Sequence, residues 1–326
     1  MKKMKTWKRY SVLILIVLAS VLLMGQVAEA KWPDKPIEFV IPAGTGGGAD
    51  NYARYLIGLN VKGKYIDEAI LPVNKDGGAG AVAMQHMLTQ KGNDYTIMIT
   101  LNAFITTPLF QNLPFSYKDF TPIALLALDN FPLWVHKDSP YKNAQDFIEE
   151  ARKRSITVAG TGSKQEDEIV FRAIEKIAGT KPFRYVPEKG GGDVAKSLVG
   201  KHVEATVNQV SEAAPFYPDF LRPLCVFQDE RLTAKGYEDV PTGKEAGIDL
   251  SYNMMRAVFA PPGISKEARD GYIAFFRKLS QDAEWKAFAE KTGLDTRFLA
   301  GDELGKFVAD FYNTHVDIMK AQGWIK

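Results

Sequence analysis

Short runs of β-branched and aliphatic residues alternate along this chain with stretches in which apolar side chains recur every three or four positions. The runs Ile37 to Pro42, Ala69 to Val73, Thr96 to Thr100, Ile123 to Leu128, Pro132 to His136, Ile156 to Ala159, Ala205 to Val210 and Pro223 to Gln228 predict strands. Between them, Asn51 to Leu59, Ala81 to Leu88, Ala144 to Arg154, Glu166 to Ile177 and Gly192 to Val199 predict amphipathic helices. From Lys266 to Met319 the pattern is almost wholly helical, in three pieces: Ala268 to Leu279, Ala283 to Lys291 and Gly301 to Lys320. Such alternation predicts an α/β fold with mostly parallel sheets and a helical C-terminal tail. No Pro- or Ser-rich linker separates two halves, so two domains would be joined by paired strands near a hinge, at about residues 130 to 135 and 250 to 260.

Glycines cluster at the ends of these strands. The first strand runs into Ala43-Gly44-Thr45-Gly46-Gly47-Gly48-Ala49-Asp50 and then into a helix, aiming bare N–H groups and the positive end of a helix dipole at one point. An anion belongs there. Taken singly, this cluster, Gly77 to Gly80, Gly160-Thr161-Gly162-Ser163 and Gly190 to Gly192 each read more readily as tight turns than as binding loops, but the first and third both follow an apolar strand and precede a helix, which favours binding there. In open α/β sheets ligands lie beyond the carboxyl ends of the strands, so two such loops facing each other would hold a small molecule with two acidic ends. Asp50 either caps its helix or touches the ligand. Asn102, Asn208 and Glu212 lie at strand ends from which they can project toward the same space, although a solvated surface suits Glu212 equally well.

The first thirty residues decide the compartment. Lys2, Lys3, Lys5, Lys8 and Arg9 precede the apolar stretch Ser11 to Met24, and Ala28-Glu29-Ala30 is a small-x-small cleavage pattern. A spanning helix needs roughly 20 apolar residues, and Gln26 and Glu29 interrupt this one too early. Residues 1–30 therefore read as a signal peptide cut after Ala30, leaving the protein free in the periplasm. Of the formal charge of +2, positions 1–30 carry five basic residues and one acidic, which leaves −2 for the remainder. Near-neutral charge without a Lys/Arg run argues against nucleic acid or an anionic membrane as partner. The remaining length supports two ordinary cores.

Catalytic chemistry finds little purchase. Gly44 to Ala49 fits G-x-G-x-x-[G/A], the signature of a dinucleotide-binding oxidoreductase, but the acid expected after the next strand is replaced by Asn74. Ser163, the nucleophile an exported hydrolase would use, lacks the G-x-S-x-G frame and suits a hydroxyl donor or helix cap better. The four histidines are scattered, so neither a metal nor a cofactor is expected. Cys225, the single cysteine, sits in an aliphatic run and reads as a buried, inert thiol.

Several short motifs, in order, carry a family resemblance. Pro33-Asp34-Lys35-Pro36-Ile37 is followed without a gap by Pro42-Ala43-Gly44-Thr45-Gly46-Gly47-Gly48-Ala49-Asp50. Then come Asn74 with Gly77, Gly78 and Gly80, Pro114-Phe115 with Asp119-Phe120-Thr121-Pro122, the Gly160 to Ser163 loop, Asp239-Val240-Pro241-Thr242 with Glu245 and Gly247, and Ala260-Pro261-Pro262-Gly263. In these the chain resembles the Bug family of extracytoplasmic receptors of tripartite tricarboxylate transporters. The resemblance implies a two-domain, type II-like Venus-flytrap fold, with residues 31–130 plus 254–326 in one domain, 131–253 in the other, and the ligand cleft between them. It implies a monomeric receptor rather than an enzyme, which takes up a di- or tricarboxylate or a related acid and hands it to one large and one small membrane subunit. Backbone amides of the first loop (Gly44, Thr45, Gly46, Gly47) and of the Thr161-Gly162-Ser163 turn would grip the carboxylates. The chain departs from the family at Ala43, usually Phe, at Asp76, usually Pro, and at Glu166-Asp167, where many members carry a His. Two acids so close to the third glycine loop repel a second carboxylate or, facing inward, bind an amino group.

Overall fold

The computed structural model describes residues 32–45 and 48–326. The signal-peptide reading of residues 1–30, and Gly46 and Gly47 of the first loop, lie outside the described residues.

Eleven strands form two sheets among the described residues. The first contains β1 (Ile37–Ile41), β2 (Ile70–Asn74), β3 (Thr96–Thr100), β4 (Thr121–Asn130), β10 (Asn253–Ala260) and β11 (Leu299–Ala300), in the order β11-β4-β10-β3-β1-β2. The second contains β5 (Pro132–His136), β6 (Thr157–Thr161), β7 (Arg184–Glu188), β8 (Ala205–Thr206) and β9 (Leu221–Val226), in the order β7-β6-β8-β5-β9. Both sheets are mixed rather than mostly parallel. β1 runs parallel to β2 and β3, and β6 parallel to β7 and β8, but β10 lies antiparallel between β3 and β4, and β5 antiparallel between β8 and β9. The reason is the crossover. β4 leaves the first sheet through the buried Phe131 directly into β5 of the second, and β10 returns from residue 253 to pair along β4, Asn253 opposite Asn130. A chain that turns back on itself in this way must run against its partner.

The helices follow from the 3.6-residue spacing. Helix α4 (Ala144–Lys153) buries Ala144, Phe147, Ile148 and Ala151, and Asn143 caps it by accepting the Asp146 N–H at 2.8 Å. Helix α5 (Glu166–Ala178) buries Ile169, Val170, Phe171, Ala173 and Ile174 and stops at Gly179, whose φ of +64° only glycine adopts readily. The predicted tail appears as α8 (Lys266–Ser280), α9 (Ala283–Thr292) and α10 (Gly301–Ala321), the first two capped by Ser265 and Asp282. Helices α8 and α10 cover β4.

Three elements departed from their expected form. The segment Ala205 to Val210 is a strand only at Ala205–Thr206, because Val210 already opens a short helix, α7 (Val210–Ala213). Helix α3 (Ala103–Gln111) was not expected, since its apolar residues, interrupted by Thr106 and Thr107, form no stripe of one face and Pro108 lies within it. Strand β7 was likewise unforeseen, whereas β10 falls where a paired strand was expected, at about residues 250 to 260. The first is an edge strand with charged ends, and the second an apolar run interrupted by Arg256. Cys225 is free and fully buried, as its aliphatic setting predicts, and burial pushes its thiol up to about 12.

Candidate functional site

Strand ends of the first sheet feed helix starts. β1 leads through Pro42, Ala43 and the exposed Gly44 and Thr45 into α1 (Gly48–Gly63), and β3 leads into α3. The second sheet does the same: β6 opens through Gly162 and Ser163 into α5, and β7 into α6 (Gly191–Val199). These helix starts carry N–H groups with no partner inside their own helix.

Asp50 organises the first loop. Its carboxylate is buried and accepts two hydrogen bonds from Arg54 Nε, at 2.9 and 3.0 Å, and one from Asn74 Nδ2 at 2.9 Å. Asn74 Nδ2 also donates to the Ala43 carbonyl at 2.8 Å, tying the end of β2 to the loop. Asp76 lies beside Gly44, its Oδ2 3.6 Å from where a Cβ would stand.

The Gly160 to Ser163 loop is already engaged with its own helix and with β7. The Thr161 N–H donates to Asp167 Oδ2 at 2.7 Å, and the Gly162 N–H donates to the Glu188 carbonyl at 2.9 Å. The two amides expected to be open donors are thus held by the fold, and Ser163 lies exposed. Asp167 reaches Thr161 because Gly160 has no side chain: a Cβ there would collide with Asp167 and with the Tyr185 hydroxyl. Asn102 does not project outward either. Its Nδ2 donates to the Asn253 carbonyl at 2.9 Å and to the Tyr252 hydroxyl at 3.2 Å, and its Oδ1 accepts the Met255 N–H at 2.8 Å. It staples β3 to β10.

Acids that follow strands of the second sheet meet helix starts that follow strands of both sheets. Glu166, in the first turn of α5, is buried, and its Oε1 accepts the Ala103 N–H at the start of α3 at 3.0 Å. Glu212, partly buried on α7, stands between two helix starts. Its Oε1 is 3.7 Å from the Cβ position of Gly48 on α1, and its carboxylate occupies the space a Cβ at Gly191 on α6 would need. Asn208 Nδ2 donates to Glu212 Oε2 at 3.4 Å, and the Gln209 amide, turned nitrogen-inward, donates at 2.7 and 3.2 Å.

Burial raises the carboxyl pKa of all three acids. Glu212 is pushed up to about 7 by desolvation and then by the charge of Asp129, and Asp167 is raised further by Glu212 and Glu166 beyond what burial does. Arg256 on β10, a residue the sequence reading did not single out, binds Asp129 on β4 with its Nη2 2.6 Å from Oδ2, both nearly fully buried. Burial works against the guanidinium charge, but Asp129 holds its pKa above the ordinary value. The Tyr52 ring stacks under it with Arg256 Cζ 5.5 Å from the centroid, and the Tyr52 hydroxyl has no hydrogen-bond partner. The signal for this pair was a single Arg and a single Asp inside otherwise apolar strands, where unpaired charge is costly.

A cavity of about 30 Å³ lies between Pro42, Gly80, Thr100 and Ala103. A larger groove of about 550 Å³ runs past Arg231, Asn253, Asp295 and His315, and none of the glycine loops discussed above lines it. Among the described residues no three His, Cys, Asp or Glu side chains are arranged to hold a metal ion, and no helix is long and apolar enough to cross a membrane.

Residues 59–324 match the sequence profile described as the tripartite tricarboxylate transporter family receptor, TctC. A UPF0065 protein of Bordetella bronchiseptica is 27% identical over 262 residues, covering 78% of this chain and 77% of that protein. The Bordetella pertussis protein BugT is 20% identical over 321 residues, 94% of this chain and 95% of BugT. Among solved structures, a TctC solute-binding protein from Polaromonas, without ligand, superposes with a TM-score of 0.73 at 26% identity, covering 89% of this chain and 99% of that one. An R. palustris protein solved with adipate gives 0.81 at 20% identity, covering 90% and 98%, and MatC from Rhodopseudomonas palustris with bound malate gives 0.75 at 21%, covering 88% and 99%.

Proposed function

The chain belongs to the tripartite tricarboxylate transporter receptor family, the Bug receptors, and we propose that it is a periplasmic, monomeric receptor that encloses a small carboxylate and delivers it to the membrane subunits of such a transporter. The family is one of solute receptors, so the hydrolase reading through Ser163 and the oxidoreductase reading through Gly44 to Ala49 are set aside. The observation that carries the proposal is the hydrogen bond from the Ala103 N–H to Glu166 Oε1. A helix start in one half donates to a carboxylate from the other, which is the interaction a carboxylate solute would make between two lobes. Glu212, set between Gly48 and Gly191, repeats that geometry.

In this reading residues 31–130 with 254–326 form one lobe, residues 131–253 the other, and the solute lies between them. The first loop, Gly44 to Gly47, supplies backbone donors, and Asp50 fixes its shape through Arg54 and Asn74. The neighbours solved with adipate and malate support a short dicarboxylate as the solute class. Export with cleavage after Ala30 fits the charge and length of the leader.

Calorimetric titration of ligand-freed protein with C4 to C6 di- and tricarboxylates tests the function. One molecule bound per chain and recovered unchanged supports it; no binding by any member of the series, in a folded protein, refutes the carboxylate class.

A further inference from the structure

The cavity of about 30 Å³ at the ends of β1 and β3 has walls that change character with depth. Pro42, Leu101 and Ala103 are partly exposed, whereas Met84 of α2 (Ala81–Thr89), Met98 of β3 and Phe104 of α3 are buried. The recess therefore runs from the ends of two strands down to a floor of two methionines and a phenylalanine. Gly80 completes the wall. A Cβ there would stand 3.7 Å from Pro42 Cβ and 4.0 Å from Met84 Cε, so a larger residue would take up part of the space.

Water gains little in this recess. Among the described residues Thr100 carries the only polar side chain that lines it, and its Oγ1 donates to the Ala257 carbonyl at 3.0 Å. The Gly80 N–H donates to the Gly77 carbonyl at 3.1 Å, the Leu101 carbonyl accepts the Phe104 N–H at 3.0 Å, and the Ala103 N–H donates to Glu166. A buried water needs about two to four polar partners, and these groups are already spent on the fold. An apolar group suits the walls instead. One water-sized sphere takes about 10–15 Å³, so the space admits a methyl or ethyl group, and methionine side chains adapt readily to what they meet.

Ala103 belongs both to this recess and to the contact between the sheets, because its N–H meets the Glu166 carboxylate at 3.0 Å. A solute carboxylate received at that N–H would hold its adjacent carbon at the mouth of the recess. We propose that the recess floored by Met84, Met98 and Phe104 is an apolar subsite, and that it receives a small alkyl branch on the carbon next to a carboxylate of the solute. This rests on the carboxylate-receptor reading above and narrows it to short acids branched with a methyl or ethyl group. A hydroxyl of the same size would leave its water and find few partners in return, so the recess discriminates against it.

Two matched series test the subsite by calorimetry on ligand-freed protein: succinate, 2-methylsuccinate and 2-hydroxysuccinate, and glutarate, 2-methylglutarate and 2-hydroxyglutarate. In at least one series the methyl acid should bind about fourfold or more tighter than its unbranched parent, as burial of one methyl predicts, and about tenfold or more tighter than the hydroxy acid. A methyl acid that binds no more tightly than its unbranched or its hydroxy counterpart in either series overturns the subsite while leaving the carboxylate receptor standing. Failure of all six acids to bind the folded protein overturns the carboxylate reading, and the subsite with it. Met84→Ala deepens the floor. In that variant, checked for folding by circular dichroism, 2-ethylsuccinate should gain about fourfold or more on 2-methylsuccinate relative to the parent protein. An unchanged ratio in the folded variant contradicts the assignment, and the two series on the parent protein decide the matter if the variant does not fold.

Discussion

The Glu166 carboxylate accepts a 3.0 Å hydrogen bond from the N–H of Ala103, and the two residues stand at the starts of helices that follow strands of different sheets. A single side chain thus links a helix start after a strand of one sheet to a helix start after a strand of the other. A hydrogen bond to a charged group contributes about 1.5–3 kcal/mol. Glu166→Ala should therefore lower stability by roughly 1–3 kcal/mol, whereas Glu166→Gln, which keeps an acceptor oxygen, should cost less than about 1. Urea denaturation of the unliganded protein measures both, and an alanine variant as stable as the parent would mean the link adds nothing.

Stability should fall as pH rises through the range where Glu212 titrates. Its carboxyl is raised from an ordinary 4.5 to about 7, so the folded state holds a proton that the unfolded chain releases. The contribution is full below about pH 4.5 and is lost by about pH 7, amounting to no more than about 3 kcal/mol from the shift. Asp167 and Glu166 are raised as well and act in the same direction. Asp129, Arg256, Asn208, Gln209 and Asp167 surround Glu212 and remain in place in a Glu212→Gln variant. That variant should show a flatter profile between pH 5 and 8, and an identical profile would place the titration elsewhere.

Gly191 should be far less replaceable than its neighbours. A Cβ at Gly191 would collide with the Glu212 carboxylate, while at Gly190 and Gly192 nothing lies within 4 Å. Gly191→Ala is expected to lower the melting temperature by several degrees, as about 1–3 kcal/mol would in a chain of this size. Gly192→Ala, inside the helix, should be neutral or gain about 0.5–1 kcal/mol from reduced chain entropy. Equal effects at both positions would contradict the placement of Glu212.

Trp134 is a built-in reporter of the junction. The indole is fully buried and its Nε1 donates to the Asn208 carbonyl at 2.9 Å, one residue from Gln209 and four from Glu212. Solute binding that repositions Asn208 should shift Trp134 emission, and lobe closure should reduce the radius from small-angle scattering. Saturating solute with neither change would contradict closure, whereas Trp134→Phe should remove the optical response alone.

Most helices were legible in the sequence because their apolar stripes, caps and stops agree: Asn143, Ser265, Asp282, Gly179 and Gly293 sit where the pattern ends. Helix Ala103–Gln111 was not, because it buries five consecutive residues, Phe104 to Pro108, two of them threonines, and so has no apolar stripe to read. The direction of strands was misjudged at β10, since nothing local tells a returning strand from an advancing one. The first loop and Asp50 were visible as a glycine turn with its acid. The roles of Glu166 and Asp167 were only half visible: their nearness to the Gly160 to Ser163 loop is sequential, but their reach to Ala103 and Thr161 depends on how two sheets meet. Asn102 shows the converse, a polar residue at a strand end that the fold spends on holding β3 to β10.

Mass spectrometry of the solute carried through native purification of the exported protein tests the central claim most directly. The account predicts one small, chemically unaltered organic acid per chain, released on denaturation and bearing at least one carboxyl group. A stoichiometric solute with no carboxyl group would contradict it.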